Sequence, residues 1–511
     1  MVGNLPMKTT GIRLLRRNAI SNAVGTVAPA LAWVIVVPVL VHRLGGQGYG
    51  VYTIAISFAG VLGFLELGLT SAATKYVAEV DVRSDTEKLE GIVSSNLSLY
   101  IGIGGVVTLL GFIFAPCIAP LMFHDSGMNQ KELALIVRLV GIVLTLTLLR
   151  NALSSVLMGL QRYDTYSAIQ VSYAVTLALV QGVIALRGGQ VVALMLGNIT
   201  VTTVSLIGFM LAIHHLIPEV RLVRFPNSYF IRVLFSFGMY MMLINVAGTI
   251  LFNVDKVIIG QVLGSESVTY YAVPSQIALK IHNGFAVFVS FIFPLASEVQ
   301  SIGDKVTLRK IYLYSTRGIT LVDGLAMVFL GTFAHEILTL WIGSDFAAVS
   351  APILILISVG YVALALSITP YHILLGMGHP RELAMLNMLI MLCVISCLSI
   401  GLKGFGLIGG AIGVMIGMGT FAVLPWYVQR LLDIPWNTAY RDSYGRNVLC
   451  SICGIVISAV LPHHFLIRLV FYVGFTVVLF VGGNTGREEW HIIQSIWQKA
   501  AVQVSALVRS K

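Results

Sequence analysis

The chain has 511 residues, of which 57% are hydrophobic and only 11% charged. Ordinary soluble domains carry about 25% charged residues, so this apolar excess excludes a water-soluble globule and requires lipid. The net charge of +10 raises nucleic acid as a partner, but where the cations fall argues otherwise.

Fourteen apolar segments follow one another along the chain, each near the roughly twenty residues that cross a bilayer. They lie near 18–41, 49–71, 92–115, 133–157, 166–186, 191–213, 233–262, 268–293, 311–333, 351–375, 383–401, 405–429, 447–462 and 465–483. Breaker residues mark their ends: Pro116 and Pro120, Pro218 and Pro226, Gly376 to Pro380, Gly482 and Gly483. The first segment follows a basic stretch, but Asn18, Asn22, Gly25 and Pro29 make a poor signal core, so it reads as an uncleaved span. With the N-terminus in the cytoplasm, connecting segments hold 22 Lys and Arg inside against 5 outside (Arg43, Lys131, Arg187, Lys403 and Arg468). That bias sets the orientation of a polytopic protein. It places both termini in the cytoplasm, and it makes the basic excess a record of topology, with no role for nucleic acid.

Little in the sequence points to catalysis. Cys450 and Cys453 have redox-type spacing, yet they open a hydrophobic helix where Cys packs as a small residue. The pairs His214–His215 and His463–His464 sit in short loops without partner ligands, so no metal or cofactor is expected. Glu79 and Asp81 share a loop with Arg83, Asp85, Glu87 and Lys88, which reads as a solvated charged face. A membrane glycosyltransferase should carry a large extramembrane loop with paired acids. The longest loops here, around 214–232 and 430–446, are short, so the chain is not expected to be an enzyme.

The chain repeats itself. Residues 39–52 (VLVHRLGGQGYGVY) align with 258–271 (IIGQVLGSESVTYY) at an offset of 219, placing Gly45 on Gly264 and Tyr52 on Tyr271. Glu79–Val80 falls on Glu298–Val299 at that same offset, and Gly159 falls on Gly376 at 217. The fold class expected is all-α, with two six-helix lobes in parallel repeat around a central cavity plus two extra C-terminal helices. The lobes are 1–215 and 216–430, the added helices 431–485. The tail 486–511 places Ile493, Ile496, Trp497, Ala500, Val504 and Leu507 on one face, suiting either an interfacial amphipathic helix or a packed soluble one.

Charges inside the apolar runs are the candidate site. An Arg or Lys at a helix centre costs about 2.5–3.5 kcal/mol on insertion scales, so such residues usually face a cavity or pair. Helical spacing groups Lys256 with Asn245 and Thr249, and Lys280 with Thr269, Gln276 and Asn283; Arg150 lies deep in the fourth segment. The first segment offers an uncharged stripe with Asn22 and Trp33. Asp255 points about 100° away from Lys256 and either orients it or pairs with a neighbouring helix. If Arg150, Lys256 and Lys280 converge, they form a site for phosphate oxygens. Glu66, Asp255 and Asp323 are the acids available for proton or sodium coupling.

The residues RRNAISNAVG (16–25), LVHRLGGQGYGVYTIA (40–55), FLELGLTSAATKYVAE (64–79), NVDKVIIGQVLGSESVTYYAVPSQI (253–277) and FIFPLASEVQ (291–300) carry a family resemblance. In order and spacing the chain resembles the polysaccharide (O-antigen repeat-unit) flippases of the multidrug/oligosaccharidyl-lipid/polysaccharide exporter superfamily. The resemblance implies a V-shaped, two-lobed transporter with helices one, two, seven and eight lining the cavity. It implies an undecaprenyl-pyrophosphate-linked oligosaccharide as substrate, moved to the outer leaflet by alternating access, and a glycan polymerase or glycosyltransferases as partners. A lipid-linked peptidoglycan-precursor flippase shares this chemistry, and a drug/cation antiporter of the same superfamily should instead concentrate carboxylates in its cavity.

Overall fold

The computed structural model describes residues 9–80, 85–219, 227–287, 289, 292–438, 444–462 and 464–479, without the side chains of 9–26, 237, 240, 241, 243–245 and 294. The tail 486–511 lies outside these residues. The first half of the chain contributes α1 (Thr9–Leu62), α2 (Leu69–Ala78), α3 (Thr86–Met122), α4 (Gln130–Gly159), α5 (Tyr163–Leu186) and α6 (Val191–Leu216). After it come α7 (Ser228–Leu251), α8 (Val254–Leu263), α9 (Ser265–Val287), α10 (Ile292–Ser301), α11 (Lys305–Thr332), α12 (Ala334–Trp341), α13 (Ser344–Gly376), α14 (Pro380–Gly419) and α15 (Val423–Leu431). Two shorter helices, α16 (Gly445–Val460) and α17 (Phe465–Leu479), complete an all-helical polytopic membrane protein. Helix is what hydrocarbon permits, because it satisfies each backbone N–H and C=O within its own segment.

Among the described residues, nine helices are long and apolar enough to cross a membrane. The fourteen predicted segments exceed that number for three physical reasons. Corners at Gly45 and at Phe405–Gly406 leave two segments inside each of α1 and α14. The helices α16 and α17 are short. The fifth exception is α9, whose Glu266, Gln276, Lys280, His282 and Asn283 lower its hydropathy. Pro116 and Pro120 do not end their helix as predicted, since α3 runs through both to Met122. Proline is tolerated within membrane helices because local adjustments and neighbours re-satisfy the freed carbonyls.

Backbone irregularities recur at the offsets found in the sequence. Gly45 and Gly264, 219 apart, turn two helix pairs with φ/ψ of 71°/173° and 82°/169°, a region that favours glycine. Asp85 caps α3 by accepting from the Lys88 amide at 3.2 Å, and Asp304, also 219 later, caps α11 by accepting from the Thr307 amide at 3.0 Å. Hydrogen bonds from the Thr307 hydroxyl and then the Thr307 amide hold the Asp304 carboxyl below the ordinary carboxylate range. Its depressed value means the cap is intact at neutral pH and lost as pH falls through that value.

The helix ends match as well. After α4, the Arg162 amide donates to the Leu157 carbonyl at 2.9 Å, and after α13 the His379 amide donates to the Leu374 carbonyl at 2.9 Å. Gly159 lies against Val77 and the Thr74 carbonyl; Gly376 lies against Ala296 and the Phe293 carbonyl. Thr74 and Phe293 are again 219 apart, as are Val77 and Ala296.

The two halves meet where α1 packs on α8 and α9, and where α2 and α3 pack on α7. At the corner end, Thr269 Oγ1 donates to the Gly46 carbonyl at 2.6 Å. Across the seam, Gly50 is pressed against the Ser265 carbonyl. Large apolar side chains such as Leu109, Leu179, Ile400 and Val470 stay exposed on the periphery, as lipid requires.

Helices in lipid gain little from apolar burial against one another, so close backbone approach carries much of their association. A Cβ on Gly159 would stand 2.6 Å from Val77 Cβ, and one on Gly376 would stand 2.7 Å from Ala296 Cβ. Gly159→Val and Gly376→Val should each cost about 1–3 kcal/mol by overpacking. Thermal unfolding in detergent should show both below wild type; an unchanged midpoint for either removes that contact from the account.

Candidate functional site

The helical chain is interrupted at two places that border one cavity. Between α1 and α2 the chain makes a 3-10 turn, Gly63–Glu66, and leaves it through Leu67 and Gly68 at φ 53° and 65°. The second break separates α7 from α8 at Phe252–Asn253. Interrupted backbone is tolerated at membrane depth only where protein or a wet cavity covers it, and here it borders a cavity of about 470 Å³ between the halves.

Glu66, Thr249, His282, Asn283, Tyr371 and His372 supply polar groups to the cavity wall, with Ser367 and Asn387 beside them. Phe64, Phe252 and Phe421 supply aromatic faces. Glu66 accepts from Asn151 Nδ2 at 3.2 Å. His282 Nδ1 lies 3.1 Å from Asp323 Oδ2, and Tyr361 packs edge-on against the imidazole with centroids 5.3 Å apart. Asp323 is 0% exposed, and its Oδ1 has no hydrogen-bond partner.

The predicted cations have separate immediate surroundings. Lys256 Nζ donates to Asp255 Oδ1 and Oδ2 at 2.8 and 3.0 Å, and to the Phe252 carbonyl at 2.7 Å. Tyr271 Oη donates to Asp255 Oδ2 at 3.0 Å. Lys256 is 3% exposed and Asp255 8%, and both border a void of about 20 Å³, room for roughly one water. The reason is the helix break. A stripe through Asn245, Thr249 and Lys256 assumes continuous helix, but α7 ends at Leu251 and α8 restarts at Val254, which resets the register. Lys256 therefore turns back onto the last carbonyls of α7, while Asp255 sits in the first turn of α8. Each charge occupies the helix end whose dipole favours it.

Arg150 Nη1 donates to Gln170 Oε1 at 2.6 Å, and its guanidinium lies 4.3 Å from the Tyr173 ring centroid. Lys280 is half-buried, with Nζ 4.9 Å from the Trp33 ring centroid. Among the described residues it has no carboxylate partner. It lies one turn from Asn283 and Gln276 on the same face of α9. Trp33 in turn packs 5.4 Å from Trp341, whose Nε1 donates to the Val34 carbonyl. Gln276 is half-buried beside Lys280. Asn22 belongs to α1 and Asn245 to α7, but their side chains lie outside those described.

Of the predicted residues, Glu66, Thr249 and Asn283 line the cavity. Arg150 and Lys256 are drawn away by local partners. His282, Ser367, Tyr371, His372 and Asn387 were absent from the prediction. His282 had a legible signal, a histidine inside an apolar segment and next to Asn283; Ser367, Tyr371, His372 and Asn387 meet it only through tertiary packing.

The buried ion pair gives a direct test. Removing one partner of such a pair costs about 3–5 kcal/mol, because the other charge is left uncompensated. Lys256→Met should fall in that range, and Lys256→Met with Asp255→Asn should recover much of the loss. A double-mutant cycle on thermal unfolding that finds the effects additive would separate the two side chains.

The polysaccharide biosynthesis protein family model matches residues 15–300. A proposed O-antigen transporter of Shigella flexneri is 23% identical over 427 residues, covering 82% of this chain and 99% of its own. The lipid II flippase MurJ in an inward closed conformation superposes with a TM-score of 0.69 at 17% identity, covering 91% of this chain and 99% of MurJ. An inward-facing multidrug resistance MATE family transporter of the MOP superfamily gives 0.68 at 15%, covering 81% and 94%. The fold is thus that of the MATE and MurJ transporters, and the chain belongs to the polysaccharide biosynthesis protein family.

Proposed function

We propose that this protein is a flippase that carries an undecaprenyl-pyrophosphate-linked oligosaccharide repeat unit from the cytoplasmic to the outer leaflet. The observation that carries the reading is the cavity of about 470 Å³ placed where the two repeats meet and the helices break. Its Asn, Ser, Thr, Tyr and His groups suit sugar hydroxyls, and its aromatic faces suit sugar rings. Small-molecule sites fall in the range of about 300–1,000 Å³, so it matches the polar head of such a lipid and leaves the tail to the bilayer. Similarity to a proposed O-antigen transporter supports this substrate over the peptidoglycan precursor suggested by the MurJ fold.

In this reading residues 1–215 and 216–430 are the rocking lobes, fourteen spans place both termini in the cytoplasm, and residues 431–485 add two helices beside the second lobe. Lys280, the deep cation with no carboxylate partner among the described residues, takes the pyrophosphate at one end of the cavity. Arg150 of the first lobe, held by Gln170 and Tyr173 in this conformation, assists only once the lobes rock and it exchanges those partners for phosphate. Coupling to a proton or sodium gradient uses Asp323, because Asp255 is already neutralised by Lys256 and Asp323 retains an unpartnered oxygen beside the cavity histidine. Glycosyltransferases supply the substrate, and a glycan polymerase receives it.

Loss of a charge-assisted hydrogen bond of about 1.5–3 kcal/mol corresponds to tenfold or more. Arg150→Gln with Lys280→Gln should therefore leave the protein in the membrane and cut surface-glycan assembly by that factor. Lipid-linked oligosaccharide should then build up in the inner leaflet. Normal export by the double variant refutes the cation assignment, and accumulation of peptidoglycan precursor instead selects the other substrate. Asp323→Asn should retain downhill transport and lose the response to an imposed gradient; a full response removes Asp323 from coupling.

A further inference from the structure

We infer that the cavity selects repeat units by charge, admitting neutral, N-acetylated or amino sugars and rejecting acidic ones, with Glu66 as the discriminating residue. This rests on the flippase reading and names the sugar class that reading leaves open.

The geometry begins with the break in the second membrane span. The 3-10 turn Gly63–Glu66 and the left-handed residues Leu67 and Gly68 rotate the Glu66 carboxylate into the cavity. Asn151 Nδ2 holds one oxygen at 3.2 Å, and among the described residues the other has no protein partner. Its neighbours on the wall are neutral hydrogen-bonding groups: Thr249, Asn283, Ser367, Tyr371 and Asn387. No Lys or Arg lines the cavity among the described residues. Of its imidazoles, His282 is engaged by Asp323. The nearby cation Lys256 is held by Asp255, and Arg150 is turned onto Gln170 and Tyr173.

Such a wall treats sugars differently by charge. A sugar hydroxyl or ammonium donates to the open Glu66 oxygen, and acetamido groups exchange hydrogen bonds with Asn283 and Asn387. A uronic acid carboxylate loses its hydration on entry and meets a like charge with no cation fixed beside it, a penalty that grows as the local dielectric falls. Repulsion built against one class of ligand is a route to specificity independent of contacts to the favoured one. The pyrophosphate escapes this penalty because it lies at the Lys280 end, beyond the Asn283 turn.

The test uses the full chain in proteoliposomes with two undecaprenyl-pyrophosphate trisaccharides that differ only at the terminal sugar, glucose in one and glucuronic acid in the other. Membrane-impermeant periodate reads the heads reaching the outer leaflet. Wild type should move the glucose form about tenfold or more faster, and Glu66→Gln should bring the ratio to within about threefold. If Glu66→Gln transports neither, competition between the two lipids for the purified protein gives the same ratio at equilibrium. Equal rates for wild type overturn the selectivity while the flippase reading stands, and a persisting preference in Glu66→Gln overturns the role of Glu66. Folded wild-type protein that moves neither lipid overturns the flippase reading and this inference with it.

Discussion

Hydrocarbon penalises every polar group left without a partner, and the layout of this protein's helices and helix breaks follows from how that demand is met. Along most of the chain helices meet it internally. Where helices break, the freed carbonyls and the charges beside them must be answered locally. The Asp255–Lys256 pair shows the rule at work. Two opposite charges adjacent in sequence stand together in the first turn of α8, and the Lys256 ammonium reaches back to the Phe252 carbonyl at the end of α7, so each charge satisfies the other and the lysine also answers the severed helix. The pair makes a broken membrane helix affordable, and the break in turn opens a wall of the cavity.

The breaks are concentrated on one surface. Gly63–Gly68 and Phe252 border the cavity between the halves, whereas α4, α5 and α6 run through without interruption. The uninterrupted helices thus stand together in the first half, and the interrupted ones meet the cavity. Polar side chains follow that division: Glu66, His282, Asn283 and His372 face the seam, while the lipid-facing sides of α3 and α5 carry residues such as Ile113, Leu121 and Leu179.

Much of this was legible in the sequence. Segment positions were readable because apolar runs of membrane length admit few alternatives, and the offsets of 219 and 217 identified paired positions such as Gly45 with Gly264 and Gly159 with Gly376. The site was legible only in part. Asn283 could be found because it lies in a helical stretch whose periodicity holds, whereas Thr249 was reached through a stripe with Lys256 that the break interrupts. Lys256 could not be placed by the same reasoning, since the break one turn before it resets the spacing. Its partner was also the adjacent residue, which helical geometry points away in an unbroken helix. The walls contributed by Ser367, Tyr371 and Asn387 depend on how α13 and α14 pack against α9 and α7, and no local pattern encodes that.

The seam at the Gly45 and Gly264 corners is built from one contact made twice and finished differently. The repeat carries the pair Gly46–Thr269 onto Ser265–Gly50. On one side a hydroxyl ties the two halves by a bond of 2.6 Å, and on the other a bare glycine merely rests against a carbonyl. A Cβ at Gly50 would also stand 3.1 Å from Thr269 Oγ1, so the bare glycine leaves room for the very hydroxyl that ties the halves, and a single side chain completes both copies of the contact.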